Sequence, residues 1–145
     1  MFVRTPELDR ALVDLTLENS ALADTVSLTI LDSAGQTVFT GAAGAEDAIR
    51  DFPCAVPGAQ PWSPDSPALY TLEAALKDAA GTVLDVKRVR FGFRTARFAK
   101  DGFFLNGKKL KIRGLNRHQS YPYVGYAMPA SVHVALYLVR KYGRQ

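Results

Sequence analysis

Apolar residues recur at every second position through most of the chain's first two thirds. In residues 12–18 the alternation puts Val13, Leu15 and Leu17 on one face. In residues 25–31 it puts Val26, Leu28 and Ile30 on one face and Thr25, Ser27 and Thr29 on the other. A period of two is that of a pleated strand with one buried side; a helix would need about 3.6. The same spacing returns in residues 69–76, with Tyr70, Leu72, Ala74 and Leu76 together. It returns again in residues 83–94, where Val89, Phe91 and Phe93 face inwards while Arg88, Arg90 and Arg94 face water.

Turn chemistry separates these runs. Residues 19–24 read as a turn, and Asp32-Ser33-Ala34-Gly35 leads into a third strand over residues 36–40, after which the Ala/Gly stretch 41–45 reads as a loop. A weaker extended segment over 48–56 precedes Pro57, Pro61, Pro64 and Pro67, a proline density that no central strand tolerates. Ala79-Ala80-Gly81 supplies a further turn. Six or so strands separated in this way predict a mainly β fold, an immunoglobulin-like antiparallel sandwich over residues 1–97. Beyond it, residues 103–105 and 110–112 flank Asn106-Gly107, a type I′ hairpin signal because both residues accept positive φ. Residues 131–142 carry Val132, Ala135, Leu136 and Val139 at helical spacing, which predicts a short C-terminal helix.

The charge distribution divides the chain at nearly the same place. Residues 1–101 hold 10 Lys/Arg and all 14 Asp/Glu, a balance of −4, whereas residues 102–145 hold 8 Lys/Arg and no acid, a balance of +8. Two different structural units, 1–97 and 98–145, are therefore expected. At 145 residues the chain is too short for a self-contained multidomain enzyme. The lone Cys54 has no disulfide partner, the N-terminus lacks the apolar core of a signal peptide, and no run spans a bilayer. A cytoplasmic protein without membrane contact, metal or cofactor is expected.

Few residues carry chemistry. The run Lys108 to His118 could neutralise phosphates, with Tyr121, Tyr123 and Tyr126 available for stacking. A solvated hairpin edge guarded by lysines is the preferred reading, and nucleic acid is not expected as a partner. His118 sits in a polar, glycine-punctuated setting and could donate to a ligand hydroxyl, whereas His133 lies within the helix-like run and reads as structural. Cys54 is expected to be buried beside Phe52. Trp62 and Tyr70 flank the proline-rich loop, where a role in holding the loop on the sandwich is preferred to a sugar-stacking platform.

Three motifs in order then point to a family. Trp62-Ser63-Pro64-Asp65-Ser66-Pro67 with Leu69-Tyr70, Phe91-Gly92-Phe93-Arg94, and residues 103–129 together resemble glycoside hydrolase family 2, above all its β-galactosidases. The third motif includes Leu105-Asn106-Gly107-Lys108 and Arg113-Gly114-Leu115-Asn116-Arg117-His118. The resemblance implies that the sandwich precedes a catalytic (β/α)₈ barrel and that the hairpin leads into the barrel's first strand, with residues 113–118 at that strand's C-terminal end, where barrel enzymes bind substrate. It gives His118 a hydrogen bond to a sugar hydroxyl, and it gives Arg113 and Asn116 supporting roles in the substrate site. It implies a galactoside-type carbohydrate as the parent enzyme's partner. Gln119 stands where the family more often has Glu.

The chemistry implied by the resemblance, retaining cleavage of a terminal β-galactoside, needs two carboxyl groups about 5 to 5.5 Å apart. In the family both are glutamates further along the barrel, and here no acid follows Asp101. The expectation is a portion of such an enzyme that is inactive alone. The alternative is a non-catalytic β-sandwich that binds carbohydrate or a partner and self-associates through its exposed hairpin.

Overall fold

The computed structural model describes residues 1–112 and Ser131. The chain divides into two units, Met1–Lys111 and Ile112–Gln145. The first contains ten strands: β1 (Phe2–Arg4), β2 (Arg10–Thr16), β3 (Thr25–Leu31), β4 (Thr37–Gly44), β5 (Ala48–Ala55), β6 (Tyr70–Lys77), β7 (Val83–Phe91), β8 (Ala96–Ala99), β9 (Gly102–Leu105) and β10 (Lys108–Leu110). All pairings are antiparallel, in sheets ordered β1-β2-β5, β4-β3-β6-β7 and β10-β9-β8.

The first two sheets form the sandwich that the alternation predicts. Ala11, Val13 and Leu15 of β2 with Ile49 and Cys54 of β5 make one wall of the core, and Val26, Leu28 and Ile30 of β3 with Tyr70, Leu72 and Ala74 of β6 make the other. Strand β3 covers the expected residues, and its threonines and serine stay on the opposite face. Two turns share one sequence device. Asp32-Ser33-Ala34-Gly35-Gln36 and Asp78-Ala79-Ala80-Gly81-Thr82 each place the aspartate Oδ1 to accept two backbone N–H groups, at 2.9 and 2.9 Å in the first and 2.9 and 2.8 Å in the second. Each glycine sits at positive φ, 80° and 84°, where a side chain would be strained.

Several local readings change. The strand expected over 83–94 ends at Phe91, and the hairpin's second arm is Lys108–Leu110 rather than 110–112, because a two-residue Asn106-Gly107 turn starts pairing at once. The Ala/Gly stretch 41–45 is not a loop: β4 continues to Gly44, pairing Gly41 with Leu28 and Gly44 with Thr25. Small residues are needed there because a Cβ on Gly41 would come within 3.0 to 3.1 Å of the Phe39 and Phe52 rings, which close the sandwich beside it. The strand of residues 12–18 starts two residues earlier and ends at Thr16. Residues 19–24 hold a 3-10 turn at Ser20–Leu22. β1 and β8 were too short to register as alternation. Pro53 lies inside β5, which tolerates it because β5 is a sheet edge. The expected helix at 131–142 lies, apart from Ser131, outside the described residues.

Candidate functional site

The substrate-site residues named from the sequence, Arg113, Asn116 and His118, lie outside the described residues, as do Gln119, Tyr121 to Tyr126 and His133. What the structure does place is the part of the chain that precedes them in sequence, a platform made of the proline loop, the chain after β7 and the β8-β9-β10 meander.

The platform is built on aromatic packing. Phe93 is fully buried, with its ring edge-on to Tyr70 at 5.0 Å and to Phe91 at 5.1 Å between centroids. The Tyr70 hydroxyl accepts the Gln60 N–H at 2.8 Å, which holds the start of the proline loop against the sandwich. Trp62 then lies on Gly92, where a Cβ would meet the Trp62 Cβ at 2.7 Å and the Ala68 carbonyl at 3.0 Å. Its backbone N–H donates to the Phe93 carbonyl at 2.8 Å, and the Arg94 guanidinium covers its ring at 4.8 Å. Trp62 thus holds the loop down, with one ring face occupied by arginine rather than open as a stacking surface.

Asn106 ties the meander to this platform. It sits at φ 51°, followed by Gly107 at φ 76°, the backbone that an Asn-Gly type I′ turn requires. Its backbone N–H donates to the Thr95 carbonyl at 2.8 Å, its Oδ1 accepts the Thr95 N–H at 3.0 Å, and its Nδ2 donates to the Trp62 carbonyl at 2.9 Å. One side chain therefore clips the hairpin tip, the segment leaving β7 and the proline loop together. Leu105, beside it, is buried at 9% exposure. From sequence Asn106 is legible only as a turn former, because the turn already explains an asparagine there and nothing local announces the two distant partners.

The carboxylates are placed for structure. Val13 pairs with Phe52 and Leu15 with Ile49, so β5 bulges opposite Asp14, with Asp51 at φ 52°. Asp14 Oδ1 accepts the Asp51 N–H at 2.8 Å, and Arg4 bridges Asp14 and Asp51. The Asp51 N–H, helped by the Arg4 charge, holds the Asp14 carboxyl below its ordinary value. A glycosidase acid must move the other way. Cys54 is fully buried, as expected, with its sulfur 3.9 Å from the Phe52 carbonyl, and burial pushes the thiol up to about 11. Among the described residues no three His, Cys, Asp or Glu side chains are grouped to hold a metal ion. A cavity of about 370 Å³ opens at one end of the sandwich, walled by Leu15, Val26, Ala74 and Leu76, with Asp85 and Lys87 at its side. No helix among the described residues is long and apolar enough to cross a membrane.

Comparison with known proteins matches residues 2–94 to the family model for glycosyl hydrolases family 2. A β-galactosidase of Thermoanaerobacterium thermosulfurigenes is 56% identical over 71 residues, covering 49% of this chain and 10% of that protein. A β-galactosidase of Rhizobium meliloti is 40% identical over 99 residues, covering 68% of this chain and 12% of that protein. The crystal structure of a Bacteroides uniformis β-glucuronidase superposes with a TM-score of 0.73 at 28% identity, covering 97% of this chain and 18% of that one. The chain thus spans about a tenth of the length of these curated relatives.

Proposed function

Since the chain belongs to glycoside hydrolase family 2, we propose that it supplies the immunoglobulin-like domain and the start of the catalytic barrel of a β-galactosidase-like enzyme. In this reading residues 1–97 are the sandwich and residues 98–145 the beginning of the barrel. The parent reaction is retaining hydrolysis of terminal β-galactosides. The observation that carries the proposal is the family match over residues 2–94 combined with 56% identity to a β-galactosidase. Galactose is favoured over glucuronate because the β-galactosidases share 56% identity over 71 residues and 40% over 99, whereas the glucuronidase structure shares 28% over 97% of the chain.

The mechanism assigned to this chain is positional. Asn106 fixes the hairpin against Thr95 and Trp62. His118 would donate to a hydroxyl of the sugar, with Arg113 and Asn116 supporting it, while the acid/base and nucleophilic carboxyls come from elsewhere in the parent, since no Asp or Glu follows Asp101 in this chain. A cytoplasmic setting belongs to the same proposal and suits a single buried free thiol.

Purified chain offered nitrophenyl β-galactoside and nitrophenyl β-glucuronide should turn over neither; hydrolysis of either that follows the protein through purification would refute the scaffold role. A hybrid carrying residues 13–129 of this chain in the Rhizobium meliloti β-galactosidase should hydrolyse the galactoside. His118→Ala in that hybrid should lower kcat/KM on the order of 100-fold without lowering Tm.

A second reading, a self-associating interaction or carbohydrate-binding module, is favoured by one observation. Phe98, Phe103 and Leu110 lie directly across from one another on the meander, Phe98 and Phe103 with ring centroids 4.9 Å apart, and Phe98 is 79% exposed. Light scattering on Phe98→Lys tests it: an association that disappears supports this reading, and an unchanged mass refutes it.

A further inference from the structure

We propose that β4 is a self-association edge, pairing antiparallel with β4 of a second copy of this chain across a two-fold axis to join the two four-stranded sheets. The proposal rests on the edges of the sandwich and does not depend on the family reading.

A free sheet edge offers a row of unpaired N–H and C=O groups, and folded proteins blunt such edges with brevity, charge, proline or bulges. Most of the edges here carry such a device. β1 has three residues and includes Arg4. β5 contains Pro53, Arg50 and Asp51 and is bulged opposite Asp14. β7 holds four charged residues in nine, and two of them, Asp85 and Lys87, stand opposite Leu76 and Ala74 on the side that faces the core. β8 and β10 have four and three residues and carry Arg97, Lys108 and Lys109.

β4 is blunted least: a single bulge at Val38, between the pairs Leu31–Thr37 and Ile30–Phe39, is its one such device. It runs for eight residues, Thr-Val-Phe-Thr-Gly-Ala-Ala-Gly, without a charge or a proline. Its register with β3 is unbroken from Phe39 opposite Ile30 to Gly44 opposite Thr25. Among the described residues it bonds β3 on one side and no strand on the other. The core behind it is closed, because the Phe39 and Phe52 rings fill the space over Gly41. What remains open is backbone rather than apolar surface, so the partner it fits is a strand.

A second copy of this chain meets no charge opposition at that edge. A two-fold axis sets residues of one sequence against themselves, and like charges opposite one another destabilise a pair. β4 brings none in any register. Thr40, Ala42 and Gly44, exposed on the outer face, are small enough for a second strand to approach, and threonine pairs across strands are favourable.

The test is sedimentation of the full chain between roughly 1 µM and 1 mM, the span over which weak to moderate association is read. The mass should rise from monomer towards dimer. The double variant Thr40→Lys and Ala42→Lys, both on the exposed face, should weaken dimerisation at least tenfold with an unchanged circular dichroism spectrum. A wild-type chain that stays monomeric overturns the proposal. So does a double variant that associates like the wild type, or an association that Phe98→Lys abolishes and the double variant leaves intact. Should the double variant fail to fold, hydrogen exchange on the wild-type chain decides: protection of the amides of residues 39–44 should grow with concentration, and protection independent of concentration overturns the pairing.

Discussion

Asn106 offers the sharpest test of how the hairpin is held. Replacing it with alanine removes the Oδ1 acceptor from the Thr95 N–H and the Nδ2 donor from the Trp62 carbonyl, and leaves a Cβ residue at φ 51°. Each of these part-buried hydrogen bonds contributes about 1 kcal/mol, and alanine in the left-handed region costs about 1 kcal/mol more, so Asn106→Ala should destabilise by about 3 kcal/mol. Glycine relieves only the backbone cost and should destabilise by about 2 kcal/mol. Aspartate keeps the acceptor for Thr95 and loses the donor to Trp62, for about 1 kcal/mol. Urea unfolding followed by the fluorescence of Trp62, the one tryptophan in the chain, ranks the three. Hydrogen exchange at the Thr95 amide reads the lost bond directly and separates local opening of the hairpin from global unfolding. Alanine and glycine variants of equal stability, with the Thr95 amide as protected as in the wild type, would refute the three-way clip.

Three further outcomes follow from groups the structure places. Burial raises the Cys54 thiol from 9.0 to about 11, so only the unfolded chain ionises between these values. The stability this group confers is present below pH 9 and disappears as pH rises towards 11. Thiol labelling should therefore be undetectable on the native chain at neutral pH and should appear with unfolding. Asp14 shifts the other way, so its contribution is present above the ordinary carboxylate value of 3.8 and is lost as pH falls through its lowered native value. Carboxyl titration by NMR should show the depressed value in the wild type and a partial return in Arg4→Ala; an unshifted Asp14 in the wild type would contradict the bulge geometry. Gly92→Ala sets a Cβ 2.7 Å from the Trp62 Cβ and should cost about 1 to 3 kcal/mol while changing the Trp62 emission. An unaltered spectrum and Tm would show that Trp62 does not rest on Gly92.

The fold was legible where one face of a strand is buried. Val26, Leu28 and Ile30, or Tyr70, Leu72 and Ala74, alternate because their neighbours face water, and both strands stand where that pattern put them. β4 was cut short because Gly41, Ala42, Ala43 and Gly44 have too little side chain to show a period, although their backbones complete the ladder. β1 and β8, at three and four residues, are made by their pairing partners rather than by any pattern of their own. Motif likeness made Asn106-Gly107 and Trp62 visible, yet the hydrogen bond joining them spans 44 residues, and no local spacing encodes a contact of that range. Asp14 and Asp51 were missed for the same reason: the bulge that brings them to Arg4 exists only once β2 and β5 pair.

The charge asymmetry takes on a structural meaning here. A retaining glycosidase needs one carboxyl that stays protonated near neutral pH and another that is ionised beside it. The acid-rich part of this chain uses its carboxylates otherwise. Asp32 and Asp78 close two turns by gathering backbone N–H groups, Asp14 secures a bulge, and Glu73 pairs with Arg88 across β6 and β7 at 2.6 Å. At Asp14 the Asp51 N–H and the Arg4 charge hold the carboxyl below its ordinary value, the opposite of what a general acid requires. The acid-free part, by contrast, carries His118 and the arginines around it. On the proposed reading the carboxylates of the sandwich serve its turns, its bulge and its sheet, and the substrate's bond is broken by carboxyls contributed from elsewhere. Supplying this chain with one Glu near His118 should therefore leave nitrophenyl β-galactoside untouched, since the reaction needs two carboxyls at a fixed separation of about 5 Å.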